Sequence, residues 1–437
     1  MSEEAEPIAD ATSLPTLDSS TYWRFATLTA LYVAQGLPWG LFTVGFATWL
    51  AAQGVSTASI ATFVGISTLP WSFKLLVGPF MDRFSYLPMG RRRPWVIFAQ
   101  SCILLGYALL ALAPDPAEHI LLLAGIGFII NSFCATQDVA VDGMAIDVLP
   151  EQERGRANAF MFGGQVIGIS TGSLAGGYAL TEYGLVAAAA FGMVSTAIIL
   201  IFPLLIRERE GERLMPWSEG ESLARSERLR IEKFQHIFKD LLRELLVPMS
   251  VLLVLCECLF RLSDGILFAY LPVFTVKNLG WDNLHYNSIF AQAGVFAAVF
   301  GLVASVFIDR KGAQLTVALV SVAKFSSLVL VVLLPGWWSQ PWVFESLVYV
   351  SQFLSQVILV AIIAMFMKLC GARVAATQFA VYMAISNLAY SGGAFALAGL
   401  SSLLDARGIL LVCAACYLVL FLVFPKFRFP EPVSEHP

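Results

Sequence analysis

Apolar stretches long enough to cross a bilayer recur twelve times along this chain. Hydrocarbon about 30 Å thick takes about 20 residues of α-helix, and within it only helices and closed barrels satisfy their own backbone hydrogen bonds. The stretches cover residues 24–51, 59–81, 94–113, 119–148, 158–180, 184–206, 246–276, 284–308, 314–335, 341–368, 375–402 and 408–425. A content of 58% hydrophobic and only 13% charged residues excludes an ordinary soluble domain, in which charged residues alone approach about a quarter. The expected fold class is an all-α membrane protein. Residues 1–22 are acidic and polar with no apolar core, so no cleaved secretory signal is expected and the first span serves as its own insertion signal.

Lys and Arg are retained on the cytoplasmic side of a membrane, and here they are unevenly shared. With the amino terminus inside, 22 of the 27 basic residues fall on that side, against Lys277 and Arg407 outside. Lys74, Arg261 and Lys324 lie within spans. Both termini are therefore expected in the cytoplasm. The four histidines are scattered over loops and tails and the seven cysteines read as small apolar packing residues, so neither a metal site nor a cofactor is expected.

The longest polar interval, 207–245, separates six spans from six more. This divides the chain into a polar tail (1–22), a first bundle (23–206), a basic linker (207–245), a second bundle (246–425) and a short tail (426–437). Phe234, Ile237, Phe238, Leu241, Leu242 and Leu245 recur at helical spacing opposite a basic face, which suits a helix lying on the inner leaflet. The halves read as repeats. "GPFMDRF…GRRR" (78–93) ends the second span and "SVFIDRKGAQ" (305–314) the eighth, while "ERGRANAFMFGGQVIG" opens the fifth and "RVAATQFAVYMAISN" the eleventh.

The G-x-x-x-D-R…G-R-R element and the two sets of six spans resemble the major facilitator superfamily. "LPWSFKLLVGPFMDRF", "ATQDVAVDG…DVLPEQERG" and "ATQFAVYMAISNLAYSGG" further resemble the family of AmpG-type muropeptide permeases, acetyl-CoA transporters and some siderophore importers. The resemblance implies two pseudo-symmetric six-helix bundles with a cavity lined by spans 1, 4, 7 and 10. Met144, Ala145 and Gln165 depart from the muropeptide branch, and Gln165 looks more like the acetyl-CoA and siderophore branches.

A charge facing lipid is expensive, so each intramembrane ionisable group needs a partner or a wet cavity. Asn131, Asp138 and Asp142 stand at i, i+7 and i+11 on the fourth span and share one face. Lys74 on the second span lies at the depth of Asp138, about 6 Å from the span centre at 1.5 Å per residue. It is the expected counter-ion of Asp138 or Asp142, in a fixed brace or in a pair where one carboxylate carries a proton. Asp147 lies at the interface and needs no partner. On the seventh span Glu257, Arg261 and Asp264 stand at i, i+4 and i+7, so Arg261 is expected to bridge both acids or to bind an anionic solute group. Lys324, midway along the ninth span, has no obvious partner.

Gln35 and Trp39 on the first span and Tyr349, Gln352 and Gln356 on the tenth form polar stripes suited to a polar organic ligand, with Gln165 and Tyr382 as further candidates. Gly78, Asp82, Arg83, Arg91, Arg92 and Arg93, with the degenerate copy Asp309 and Arg310, are expected to hold the cytoplasmic side closed by contacts with the neighbouring half. No nucleotide-binding motif and no nucleophile–base pair is visible. The function expected is a secondary transporter working by alternating access, importing a large polar or anionic solute with protons. Muropeptide-like saccharide peptides are slightly favoured over acyl-CoA or siderophore-like solutes. A non-transporting membrane sensor is the rival from another class. Expected partners are the solute, protons and the lipid bilayer, with no nucleic acid, and the expected state is a monomer in a bacterial inner membrane.

Overall fold

The computed structural model describes residues 16–222, 245–370 and 375–426. The expected amphipathic helix, apart from Leu245, lies outside the described residues. Twelve long helices follow in order: α1 Thr21–Ala52, α2 Thr57–Met81, α3 Arg93–Ala111, α4 Ile120–Val148, α5 Arg154–Thr171, α6 Leu185–Leu205, α7 Pro248–Leu279, α8 Asn283–Lys311, α9 Ala313–Leu333, α10 Pro341–Leu369, α11 Ala375–Leu403 and α12 Ala406–Val423. A π-turn at Gly172–Gly176 continues α5 into a short helix, Gly177–Tyr183. Among the described residues nine helices are long and apolar enough to span a membrane on their own. The others are α5, rich in glycine, α7, with three charges at its middle, and α8. Several side chains of α8 lie outside the described residues.

Glycines set how closely the helices approach. A Cβ on Gly36 of α1 would lie 2.2 Å from the Gln165 carbonyl oxygen of α5, and one on Gly168 of α5 would lie 2.2 Å from the Val33 carbonyl oxygen of α1. The second half repeats the crossing. A Cβ on Gly265 of α7 would meet the Tyr390 carbonyl oxygen at 2.0 Å, and one on Gly393 of α11 would meet that of Leu262 at 2.2 Å. Lipid gives helices no hydrophobic incentive to associate, so backbone proximity at small residues provides van der Waals contact instead. The repeat legible in the sequence is thus also a repeat in packing.

One end of the bundle carries the basic loops and the other carries residues 53–56, 280–282 and 404–405. The halves are tied from the middle to this far end. Lys277 donates to the Val55 carbonyl, Asn283 to Thr181 at 2.7 Å, Thr48 to Asn287 at 3.0 Å and Ser170 to the Ala291 carbonyl at 3.1 Å. Deeper in, Thr68 and Ser391 share a bond of 2.9 Å, and Asn387 donates to the Trp71 carbonyl at 3.2 Å. The described hydrogen bonds between the halves lie at this level or nearer the far end.

The basic end is organised differently from the expected gate. Glu208, just past α6, accepts the backbone N–H groups of Arg91, Arg92 and Arg93 at 3.2, 2.7 and 2.5 Å. It supplies an anion where the start of α3 leaves donors unsatisfied. The Arg93 guanidinium donates to the carbonyls of Pro203 and Leu204 at the C-terminal end of α6 and to those of Arg213 and Leu214, a cation at the negative end of a helix. Arg91 and Arg92 lie 3.8 and 3.7 Å from the Asp147 carboxylate, and Arg209 donates to the Asp147 carbonyl. Asp147 therefore has partners, contrary to expectation. The described contacts of Arg93 form a clamp within the first half and the linker. Arg83 and Arg310 are exposed, Gly78 makes only an ordinary contact with Val139, and the side chains of Asp82 and Asp309 lie outside the described residues. The chain before α1 joins the same assembly, because Leu17 donates to the Arg207 carbonyl and Arg24 pairs with Glu153 at 2.9 Å.

The clamp is sensitive to pH. Burial, and next the charge of Glu208, push the Glu212 carboxyl up to about 8. A carboxyl raised above its unfolded value of about 4.3 holds a proton that the unfolded chain releases, so its contribution to stability falls as pH rises from about 4 to 8. Amide exchange over residues 206–222, corrected for intrinsic rates, is expected to be slower at pH 6 than at pH 9. Glu212→Gln should flatten that difference.

Candidate functional site

At mid-membrane α2 breaks. A 3₁₀ turn at Leu69–Ser72 around Pro70 ends its first section, and Lys74 begins the second. Irregular backbone at this depth is tolerated only where protein or a wet cavity covers it, and the Asn387 amide on the Trp71 carbonyl is such a cover. The break carries Lys74 to α4, where its ammonium donates to Asp138 at 2.6 Å. Asp138 is 3% exposed. Asp142 has no ion pair within 4 Å among the described residues and accepts instead from the Tyr32 hydroxyl of α1. Asn131, on the same face, accepts from the Trp71 indole at 3.0 Å. The first half thus holds one cation and two carboxylates, and its uncompensated member is Asp142.

In the second half the expected bridge by Arg261 is absent. Asp264 is taken by Lys324 of α9 at 2.6 Å, by Ser355 of α10 at 2.7 Å and by Tyr417 of α12 at 2.9 Å, all on one carboxylate oxygen. The lysine missing a partner in the sequence is therefore the counter-ion of Asp264, and Arg261 is not. Lys324 is wholly buried and stands 4.7 Å above the Tyr417 ring. Glu257, 2% exposed, accepts from Ser386 at 2.6 Å. The Arg261 guanidinium lies 4.6 Å over the Tyr390 ring, a cation–π contact. Among the described residues it makes no ion pair within 4 Å, and its Nε has no partner.

Removing one member of a buried pair strands the other and costs about 3–5 kcal/mol, whereas removing both is tolerated. Lys324→Met is accordingly expected to lower the thermal midpoint in detergent by an amount corresponding to about 3 kcal/mol. Adding Asp264→Asn should restore most of that loss.

An aromatic row joins the two charge clusters. Lys74 lies 5.7 Å over Trp71, Trp71 meets Trp39 edge-on at 5.4 Å, Trp39 lies 5.7 Å from Tyr390, and Arg261 sits over Tyr390. Phe268 extends the row to Phe290. The arrangement offers rings between two cations, one already paired and one not. Such a wall suits a ligand with apolar faces and an anionic group.

The remaining expected residues separate. Gln35 is fully buried and neither of its amide atoms has a partner among the described residues. Gln165 is half-buried on α5. Tyr349 donates to Gln292 of α8 at 3.1 Å and Gln356 lies against Gly301 of α8, so part of the α10 stripe serves the α8 contact; Gln352 is half-buried beside it. Tyr382 is fully buried, stacked on Phe366 and bonded to Ser250 and Gln378 at 2.6 Å each. Its hydroxyl is occupied in packing, which corrects its expected place in the cavity wall. Trp71, Tyr390, Ser386, Ser355 and Tyr417 escaped the sequence reading. Trp71 stands three residues before Lys74 and Tyr390 lies in the quoted "SNLAYSGG" stretch, whereas nothing local marks Tyr417.

Comparison with known proteins agrees with this architecture. The anhydromuropeptide permease of Escherichia coli (strain K12) is 23% identical over 375 residues, covering 83% of this chain and 71% of that protein. The putative transporter AmpG 4 of Rickettsia conorii is 24% identical over 386 residues, covering 84% and 87%. Among solved structures, a POT family transporter in complex with 5-aminolevulinic acid superposes with a TM-score of 0.71 at 13% identity, over 95% of this chain and 98% of that one. A D-xylose-proton symporter gives 0.66 at 14% identity, over 93% and 98%. The family model described as Major Facilitator Superfamily matches residues 28–394. Twelve helices in two halves, related by repeated glycine crossings and enclosing paired charges, thus coincide with a family match over most of the length, and the chain belongs to the Major Facilitator Superfamily.

Proposed function

We propose that this protein is a proton-coupled secondary transporter that imports an anionic, ring-bearing solute of the muropeptide kind by alternating access. The single observation that carries the reading is the aromatic row itself, with Arg261, which makes no ion pair among the described residues, at one end and the paired Lys74 at the other. Arg261 binds the anionic group through its planar fork, the row Trp71–Trp39–Tyr390 takes the ring faces, and Asp142 takes the proton. The curated relatives named as permeases support the choice of solute, and the proton symporter of like fold supports the coupling.

The distribution of basic residues assigns the basic end to the cytoplasm. The halves are then tied on the outer side, which supports an inward-facing reading of this state. Protonation of Asp142 relieves an uncompensated charge at the moment the two halves rearrange. The test is uptake of anhydromuropeptides into proteoliposomes with and without an imposed pH gradient. Accumulation that requires the gradient supports the reading, while binding without uptake under either condition favours a sensor.

A further inference from the structure

Glu257 and Arg261 stand one turn apart on α7, the spacing at which side chains of a helix meet, yet they make no ion pair within 4 Å. One Glu257 oxygen accepts from Ser386, and the other is buried with no partner among the described residues. Arg261 turns instead to the Tyr390 ring, its Nε likewise unpartnered. A buried carboxylate and a half-buried guanidinium, each incompletely satisfied and within reach of each other, are left apart. An isolated buried carboxylate is costly, whereas a carboxylic acid there is not charged at all.

Among the described residues the surroundings leave Arg261 as the one cation positioned to answer Glu257. On α7 its other titratable neighbours are Cys256, Cys258 and Asp264, the last committed to Lys324 of α9. From α11 come Ser386, bonded to it, and the phenols Tyr382, bonded to Ser250, and Tyr390, beneath Arg261. α12 and α10 contribute Tyr417 and Ser355, both on Asp264. Across the cleft Lys74 is held by Asp138.

We propose that Glu257 is a second proton-binding residue, and that Arg261 alternates between the Glu257 carboxylate and the anionic group of the solute. With a proton on Glu257, Arg261 is free for the anion. When the anion leaves, Arg261 falls back on Glu257, the carboxyl O–H bond breaks and the proton passes to cavity water. One proton therefore travels with one negative charge, and no electrons change hands. The inference rests on Arg261 as the anion site in the function proposed above, and it makes the second half a coupling unit of its own beside Asp142.

Infrared difference spectroscopy of the solute-free protein in lipid, stepped through pH, tests the proton site without any solute. A carboxylic-acid C=O band present near neutral pH is expected to be lost in Glu257→Gln and shifted in Ser386→Ala, which removes only the hydrogen bond to it. A spectrum unchanged by both variants overturns the proposal. Anhydromuropeptide binding by calorimetry then tests the exchange: affinity should fall up to about tenfold per pH unit in the wild type, as linkage to one proton requires, and become independent of pH in Glu257→Gln. An equal pH dependence in both proteins overturns the exchange. If that ligand fails to bind at all while the band behaves as expected, the choice of solute fails and the Glu257 site stands.

Discussion

Asp142→Asn is expected to remove one proton from concentrative uptake while leaving exchange intact. One pH unit is worth about 1.4 kcal/mol per proton, so the proton carried by Asp142 contributes a factor of about ten to accumulation across such a gradient. Asparagine preserves the hydrogen bond to Tyr32 in shape but binds no proton, and accumulation should fall by about that factor, to what the Glu257 site alone supports. Counterflow of labelled against unlabelled solute should continue, because the halves still rearrange around a neutral side chain. The expectation singles out Asp142 over Asp138, since Lys74 stands 2.6 Å from Asp138 and Asp142 has only a phenol. Asp138→Asn should instead strand Lys74 and lower the yield of folded protein. If Asp142→Asn accumulates solute as strongly as the wild type, Asp142 carries no proton.

Gly168→Leu is expected to damage the fold severely. Its Cβ would lie 2.2 Å from the Val33 carbonyl oxygen and 2.9 Å from the Gly36 Cα, so backbone must move on one helix or the other. Overpacking a core costs about 1–3 kcal/mol where side chains can yield; here the obstacle is main chain, and the cost should reach or pass the top of that range. Gly125→Leu is the matched control, because nothing lies within 4 Å of a Cβ there. Thermal midpoints and the monodisperse fraction after extraction should drop sharply for the first and stay level for the second.

The fold was legible because hydropathy and length decide it almost alone: each span had to become a helix, and the repeats at 78–93 and 305–314 announced two halves. That Lys74 pairs with Asp138 or Asp142 was legible from depth, and the structure selects Asp138. Lys324 was not. Its partner Asp264 lies sixty positions away on another helix, and the i+4 and i+7 spacing on α7 suggested a local answer, Arg261. Geometry went the other way because Ser355 and Tyr417 surround Asp264 with donors on the α9 side. The clamp around the arginine triplet was not legible for a related reason. Its charge was visible, but Glu208, which collects three backbone N–H groups, sits in a loop whose path the sequence pattern does not specify.

Alternating access is the central claim, and distances between spin labels at the two ends test it most directly. One pair, on Ser56 and Asn278, reports the far end, where Lys277 and Val55 now join the halves; the other, on Arg154 and Lys311, reports the basic end. Adding solute at low pH should lengthen the first distance and shorten the second in the same fraction of molecules. Distances that stay fixed at both ends while solute is transported, or that lengthen together, would contradict the account.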